Sequence, residues 1–142
     1  MLLNGSFFIY DDNEEGRNMY VFFNNNPLGR KTVGDCSVRA VSKALGISWD
    51  EAHDLLADMS KKMGTIMNDN DVISAVLRMH GFYKENFPWT CRDCYTVREF
   101  ARDNPIGTYV VGTGSHVVTV IDGNYYDSWP SGDESVLYFW VK

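Results

Sequence analysis

One thiol, one imidazole and one carboxylate in this sequence stand where nucleophilic chemistry at a carbonyl would need them. Cys36 lies in Gly34-Asp35-Cys36-Ser37, at the start of an amphipathic helical pattern. A thiol there is surrounded by unpaired backbone N–H groups and the positive end of the helix dipole. Both favour thiolate, the form that attacks carbonyls, and the same N–H groups can donate to an oxyanion. His116 follows Gly112-Thr113-Gly114-Ser115 and opens the most apolar strand pattern of the chain, a placement that faces a cleft. Asp127 sits on the next β-prone segment. Each residue alone has a plainer interpretation, such as a small buried cysteine or a solvated histidine. Their joint placement is what points to a site.

The turn between the two strand patterns decides whether the imidazole and the carboxylate can meet. Asp122-Gly123 is a two-residue hairpin signal. It pairs Ile121 with Asn124; counting back, Val118 opposes Asp127 and His116 opposes Trp129. Side chains alternate along strands, so His116, Val118, Asp127 and Trp129 share one face. Asp127 is then diagonal to His116 and within side-chain reach. A three-residue turn would send it to the opposite face. The expected chemistry is a thiolate–imidazolium pair, with His116 returning its proton to a leaving group. Asp127 would fix the tautomer of His116, and Trp129 would shield that hydrogen bond from water.

Behind these residues the elements follow in order. Residues 6–10 and 19–23 are aromatic and β-branched runs around the polar stretch 11–16, which predicts a hairpin with a long loop. The Asn- and Pro-containing stretch 24–29 breaks that pattern. Asp35 is placed to cap a helix that carries Val38, Val41 and Leu45 on one face and ends at Gly46. Ser48-Trp49-Asp50-Glu51 has capping-box spacing, ahead of a stripe of Trp49, Ala52, Leu56, Met59 and Met63. A third helix is predicted from Asp71 to His80, with Val72, Ile73, Val76 and Leu77 apolar. Thr96-Val97-Arg98-Glu99 is a second capping box, opening a short helix that Pro105 ends. Residues 108–111, 116–121, 124–129 and 136–141 read as strands. Helices followed by strands predict an α+β fold, with N-terminal helices packed on a C-terminal antiparallel sheet, in a single domain over residues 1–142.

Composition narrows the function classes. Aromatic residues at 14% and hydrophobic residues at 44% exclude a disordered chain. A net charge of −6, with no lysine- or arginine-rich stripe, argues against nucleic acid as the partner. No apolar run is long enough to span a bilayer, so no membrane partner is expected. The first ten residues lack the features of a secretory signal. Three cysteines, an odd count, argue against a disulfide framework and for a reducing cytoplasm. Cys91-Arg92-Asp93-Cys94 has metal-knuckle spacing but no second pair to complete a zinc site, and reads as two cysteines near a helix start. His53 and His80 fall on helices, as structural or solvated residues. No metal and no cofactor is expected.

The trio resembles the papain-like cysteine peptidase superfamily, whose members place Cys at a helix N-terminus, His at a strand start and Asn or Asp on the neighbouring strand. Asp127-Ser128-Trp129 looks like the Asn-Ser-Trp of papain-type peptidases, with Asp replacing Asn as in transglutaminases and arylamine N-acetyltransferases. Two longer stretches, 35–40 with 48–51 and 107–118 with 126–129, are similar to small papain-like proteins of phages and Gram-positive bacteria. The resemblance implies hydrolysis of a peptide or isopeptide bond in a peptide or protein substrate, a host protein among the candidates. Cys36, His116 and Asp127 would be the catalytic residues, in the cytoplasm of a bacterial or phage-infected cell. Three alternatives stand beside it: acyl or amine transfer on the same trio, wall cleavage as in NlpC-type endopeptidases, and a phage or prophage protein that binds and disables a host factor. Papain-type enzymes carry a glutamine shortly before the cysteine to complete the oxyanion hole. Six residues before Cys36 this chain has Arg30. Asn26, held by Pro27, is the amide expected in that role, with a backbone N–H as the other option.

Overall fold

The computed structural model describes residues 19–87 and 95–142. The expected strand at 6–10, the loop at 11–16 and the Cys91/Cys94 pair lie outside them. Among the described residues there are four helices: α1 Cys36–Leu45, α2 Trp49–Met63, α3 Asn70–Met79 and α4 Val97–Asp103. The strands are β1 Tyr20–Phe22, β2 Tyr83–Asn86, β3 Thr108–Gly112, β4 Val117–Ile121, β5 Asn124–Asp127 and β6 Tyr138–Val141.

Helix boundaries follow local chemistry. Ser48 and Glu51 close a reciprocal capping box at the start of α2, and Thr96 and Glu99 do the same for α4. Gly46 ends α1 in the left-handed conformation at φ 69°, where its N–H reaches back to the last carbonyls. The apolar face of α3 is the expected one, with Val72, Ile73, Val76 and Leu77 all buried. The stripe on α2 stops short: Ala52 and Leu56 are buried, while Met63 is exposed where the helix runs past the core.

The strands form one α+β sheet in the order β1-β5-β4-β3-β6-β2. It is mixed rather than purely antiparallel, because β1 pairs parallel with β5 through Tyr20–Tyr125, Val21–Tyr126 and Phe22–Asp127. β2 has no apolar alternation, and all four of its residues are exposed. Pairing with β6 makes it a strand, and Lys84 lies over the rings of Tyr138 and Trp140. The hairpin at Asp122-Gly123 has the anticipated register, with Ile121 opposite Asn124 and both turn residues at positive φ (49° and 84°).

The sheet is covered on both faces, which departs from a two-layer arrangement. Val110, Val117 and Trp140 pack under α1–α3 with Val38, Val41, Leu56 and Leu77. Val111, Val118, Val120 and Tyr125 point the other way, onto Val97, Phe100 and Ala101 of α4. β4 is therefore a near-continuous apolar run rather than an alternating one. Each fully buried aliphatic or aromatic side chain in these clusters contributes about 1.5–3 kcal/mol of burial. The helix bearing Cys36 is also tied to the sheet directly, because the buried Thr119 hydroxyl donates to the carbonyl of Ala40 at 2.6 Å.

Gly112 marks the closest approach within the sheet. A Cβ built there would lie 2.0 Å from Cε1 of Tyr138, whose hydroxyl accepts a 2.7 Å bond from the Asn70 amide at the start of α3. Gly112→Ala is expected to destabilise the protein by about 1–3 kcal/mol, as overpacking does. Urea unfolding measures this, and an unchanged midpoint would show that the Tyr138 ring has room to swing aside.

Candidate active site

Cys36 is the first residue of α1, half-buried at its N-terminus. Asp35 precedes it as expected, but its side chain caps nothing in the helix. That carboxylate instead accepts from Arg39 Nη1, from Trp49 Nε1 at 3.0 Å and from Asn26 Nδ2 at 3.1 Å. The first turn of α1, which begins with Cys36, is thereby left without a side-chain cap for its N–H groups.

His116 lies in the β3–β4 loop, one residue before β4 rather than inside it. A tight turn holds it, with Thr113 N–H donating to the His116 carbonyl at 2.9 Å and Gly114 at φ 103°. β5 likewise ends at Asp127, and Trp129 lies beyond it. The Nε2 of His116 meets Asp127 Oδ2 at 2.6 Å. Cys36 and His116 line the same recess. The indole of Trp129 packs on the imidazole at 5.1 Å between ring centres. It covers a pair whose side chains are only 10% and 2% exposed.

Asp127 is held from all sides. Ser131 Oγ donates to Oδ2 at 2.5 Å; Ser128 N–H and Arg39 Nη2 donate to Oδ1 at 2.7 and 3.2 Å. Its carbonyl accepts from Phe23 N–H at 2.8 Å and from the Tyr20 hydroxyl at 3.2 Å. Arg39, itself 5% exposed, thus bridges Asp35 and Asp127 through a buried guanidinium.

These contacts set the charge states. Burial works against the Cys36 thiolate. The hydrogen bond from His116, the N–H of Val117 and the charges of His116 and Arg39 outweigh it, so the thiol pKa lies below its ordinary value. Burial also disfavours the imidazolium, yet the bonds to Asp127 and Cys36 raise His116 to about 9. Burial opposes ionisation of Asp127 as well, but the bonds from His116 and Ser131 hold its carboxyl below the usual range. The arrangement shifts all three groups toward their charged forms, thiolate, imidazolium and carboxylate.

The trio expected from the sequence is thus brought together, with Trp129 against it. Asn26 is not. Its amide is given to Asp35, its carbonyl accepts from Leu28 N–H at 2.9 Å, and it lines a different cavity from that of Cys36. The recess at Cys36 measures about 200 Å³ and is walled by His116, Ser37, Asn68, Asn70, Gly114 and Tyr138. Its amides are Asn68 and Asn70, and Asn70 is committed to Tyr138. Asn68, the hydroxyls of Ser37 and Ser115 and the backbone N–H groups of α1 are among the donors that remain around the recess. Arg39 and Asn68 escaped the sequence reading. The i,i+4 spacing of Asp35 and Arg39 is visible in the chain, but the second partner lies 88 residues away.

Among the described residues, no group of three or more His, Cys, Asp or Glu side chains is placed to hold a metal ion. No helix among them is long and apolar enough to cross a membrane. Comparison of the chain with protein-family models, with curated proteins and with solved structures gave no match.

Proposed function

We propose that the chain is a cysteine hydrolase of papain-like fold that cleaves peptide or isopeptide bonds. The observation that supports it is Cys36 and His116 in one recess, with His116 bonded to Asp127 and the charge states biased toward thiolate and imidazolium. In this scheme the Cys36 thiolate adds to the substrate carbonyl, and the oxyanion so formed is met by N–H donors at the start of α1. The imidazolium gives its proton to the leaving amine as the C–N bond breaks. A water then attacks the thioester, losing a proton to His116, and releases the acid and the thiolate. Asp127 keeps the ring oriented throughout. A cytoplasmic location, where thiols stay reduced, suits such a nucleophile.

Iodoacetamide labelling at neutral pH, read by mass spectrometry, is the test. Cys36 is expected to react about tenfold or more faster than Cys91 and Cys94, and Cys36→Ser to lose cleavage of a peptide library. Equal rates at all three cysteines would overturn the proposal. Running the cleavage with an amine in competition with water separates hydrolysis from acyl transfer by the product formed.

A further inference from the structure

Tyr138 opens β6 opposite Gly112 of β3, and its ring lies over that glycine, in the space a Cβ would fill. Neighbours fix the ring from other sides. It packs edge-on against Trp140, with 5.4 Å between ring centres, and the Lys84 ammonium lies 4.5 Å from its centre. Its hydroxyl accepts from the Asn70 amide at 2.7 Å. Asn70 is itself placed by the backbone, as the first residue of α3 behind the Asp69 cap. Tyr138 and Asn70 both line the recess of about 200 Å³ that holds Cys36 and His116. That space is smaller than the roughly 300–1,000 Å³ of a pocket for a drug-sized ligand, so a carbonyl held on Cys36 has the phenol in its immediate surroundings.

A phenol has a proton to give as well as lone pairs with which to accept. Asn70 occupies a lone pair of Tyr138, and among the described residues no acceptor takes the proton. An amide bonded to the phenol oxygen polarises the O–H and strengthens it as a donor. The other side-chain donors of the wall differ. Asn68 and Ser115 are exposed, where water competes for them. Ser37 is buried but offers only a hydroxyl rotor that can turn elsewhere. Tyr138 is half-buried and held in place before any substrate arrives. Such a fixed donor is effective toward charge that develops only during reaction. We propose that Tyr138 is a catalytic residue whose hydroxyl donates to the oxyanion formed when the Cys36 thiolate adds to a carbonyl, with Asn70 as its positioning residue. The assignment deepens the proposed hydrolase and rests on it for the attacking atom. The phenol keeps its proton throughout. It donates a hydrogen bond as the C–S bond forms, and the electron pair leaves the oxygen again when the leaving group departs.

Two reagents separate this role from any effect on the thiol. Acetylation of Cys36 by p-nitrophenyl acetate passes through an oxyanion: the thiolate adds to the carbonyl, the C–O bond breaks, and p-nitrophenolate leaves without needing a proton. Alkylation by iodoacetamide displaces iodide at a saturated carbon and forms no oxyanion. Tyr138→Phe keeps the ring and removes the hydroxyl. It is expected to slow acetylation of Cys36, followed by mass spectrometry, about a hundredfold while the iodoacetamide rate stays unchanged. Asn70→Ala is expected to slow acetylation about fivefold in the parent and not at all in the Tyr138→Phe background. Equal acetylation of parent and Tyr138→Phe protein overturns the assignment and leaves the hydrolase proposal standing. An equal loss in both reactions does the same, because the phenol would then act on the thiolate. An Asn70→Ala loss of the same size in both backgrounds overturns the positioning role of Asn70. A parent Cys36 that is slow toward both reagents overturns the hydrolase proposal, and the assignment with it.

Discussion

Replacing His116 with alanine is expected to slow alkylation of Cys36 at neutral pH by about tenfold or more, and to reduce hydrolysis by a further two orders of magnitude or so. The two effects have different origins. Alkylation reads only the thiolate fraction. Burial pushes the Cys36 thiol up, and the hydrogen bond and charge of His116 pull it down, together with Val117 N–H and Arg39. Without His116 those pulls are lost, so the thiol pKa rises and less of it is ionised. Under the proposed mechanism hydrolysis also needs the proton that His116 would give to the leaving group, so it falls further. The pH profiles carry the sign. In the intact protein the pair persists until the pH passes about 9, where His116 loses its proton. Wild-type and variant alkylation rates should therefore converge above that point and diverge below it. The raised imidazole pKa also contributes stability. That contribution is fully present below the ordinary histidine value of 6.5 and lost as pH rises through about 9. Parallel alkylation profiles for the two proteins, with a constant ratio at every pH, would show that His116 does not set the ionisation of Cys36.

The largest stability effect is expected at Arg39. Its guanidinium is buried between the Asp35 and Asp127 carboxylates. Arg39→Met would leave two buried carboxylates without their shared cation, and breaking a buried pair in this way costs about 3–5 kcal/mol. In a chain of this size that corresponds to a drop in melting temperature on the order of 10 °C. Arg39→Lys keeps the charge but not the fork that spans both acids, so an intermediate loss is expected. A second readout separates packing from electrostatics. Arg39 is one of the charges that lower the Cys36 thiol, so the alkylation profile of folded Arg39→Met protein should move to higher pH. A variant as stable as the parent, with its profile unmoved, would mean that the bridge is not formed in solution.

The nearness of Cys36, His116 and Asp127 was legible because short-range chemistry announces each position. Gly34 through Ser37 open a helix, and Asp122-Gly123 sets the Ile121–Asn124 register that brings the strand ends near His116 and Asp127 side by side. What escaped depends on residues far apart in the chain. Asp35 has the look of a cap, and only the fold reveals that Arg39, Trp49 and Asn26 take its oxygens instead. The pairing of β1 with β5 escaped because the aromatic pattern of β1 says only that it is a strand; the other half of the expected hairpin, 6–10, lies outside the described residues. The covering of both faces was hidden for a similar reason. A run such as Val117-Val118-Thr119-Val120 looks merely apolar until α4 is seen on one side and α1 on the other. Asn26 was chosen for proximity to Cys36 in sequence, and proximity does not say where an amide points.

The parallel pairing of β1 with β5 has a consequence for the order of assembly. The hairpins β3–β4 and β4–β5 close over short loops, so their contacts are entropically easy to form early. The strand that carries Asp127 is different along its outer edge. There it is braced by Tyr20, 107 positions earlier in the chain. A ribosome releases that bracing segment long before it makes the strand it must join. The Asp127 carboxylate is therefore framed only after the longest loop among the described residues has closed, and the helix that begins with Cys36 can be complete well before its surroundings are.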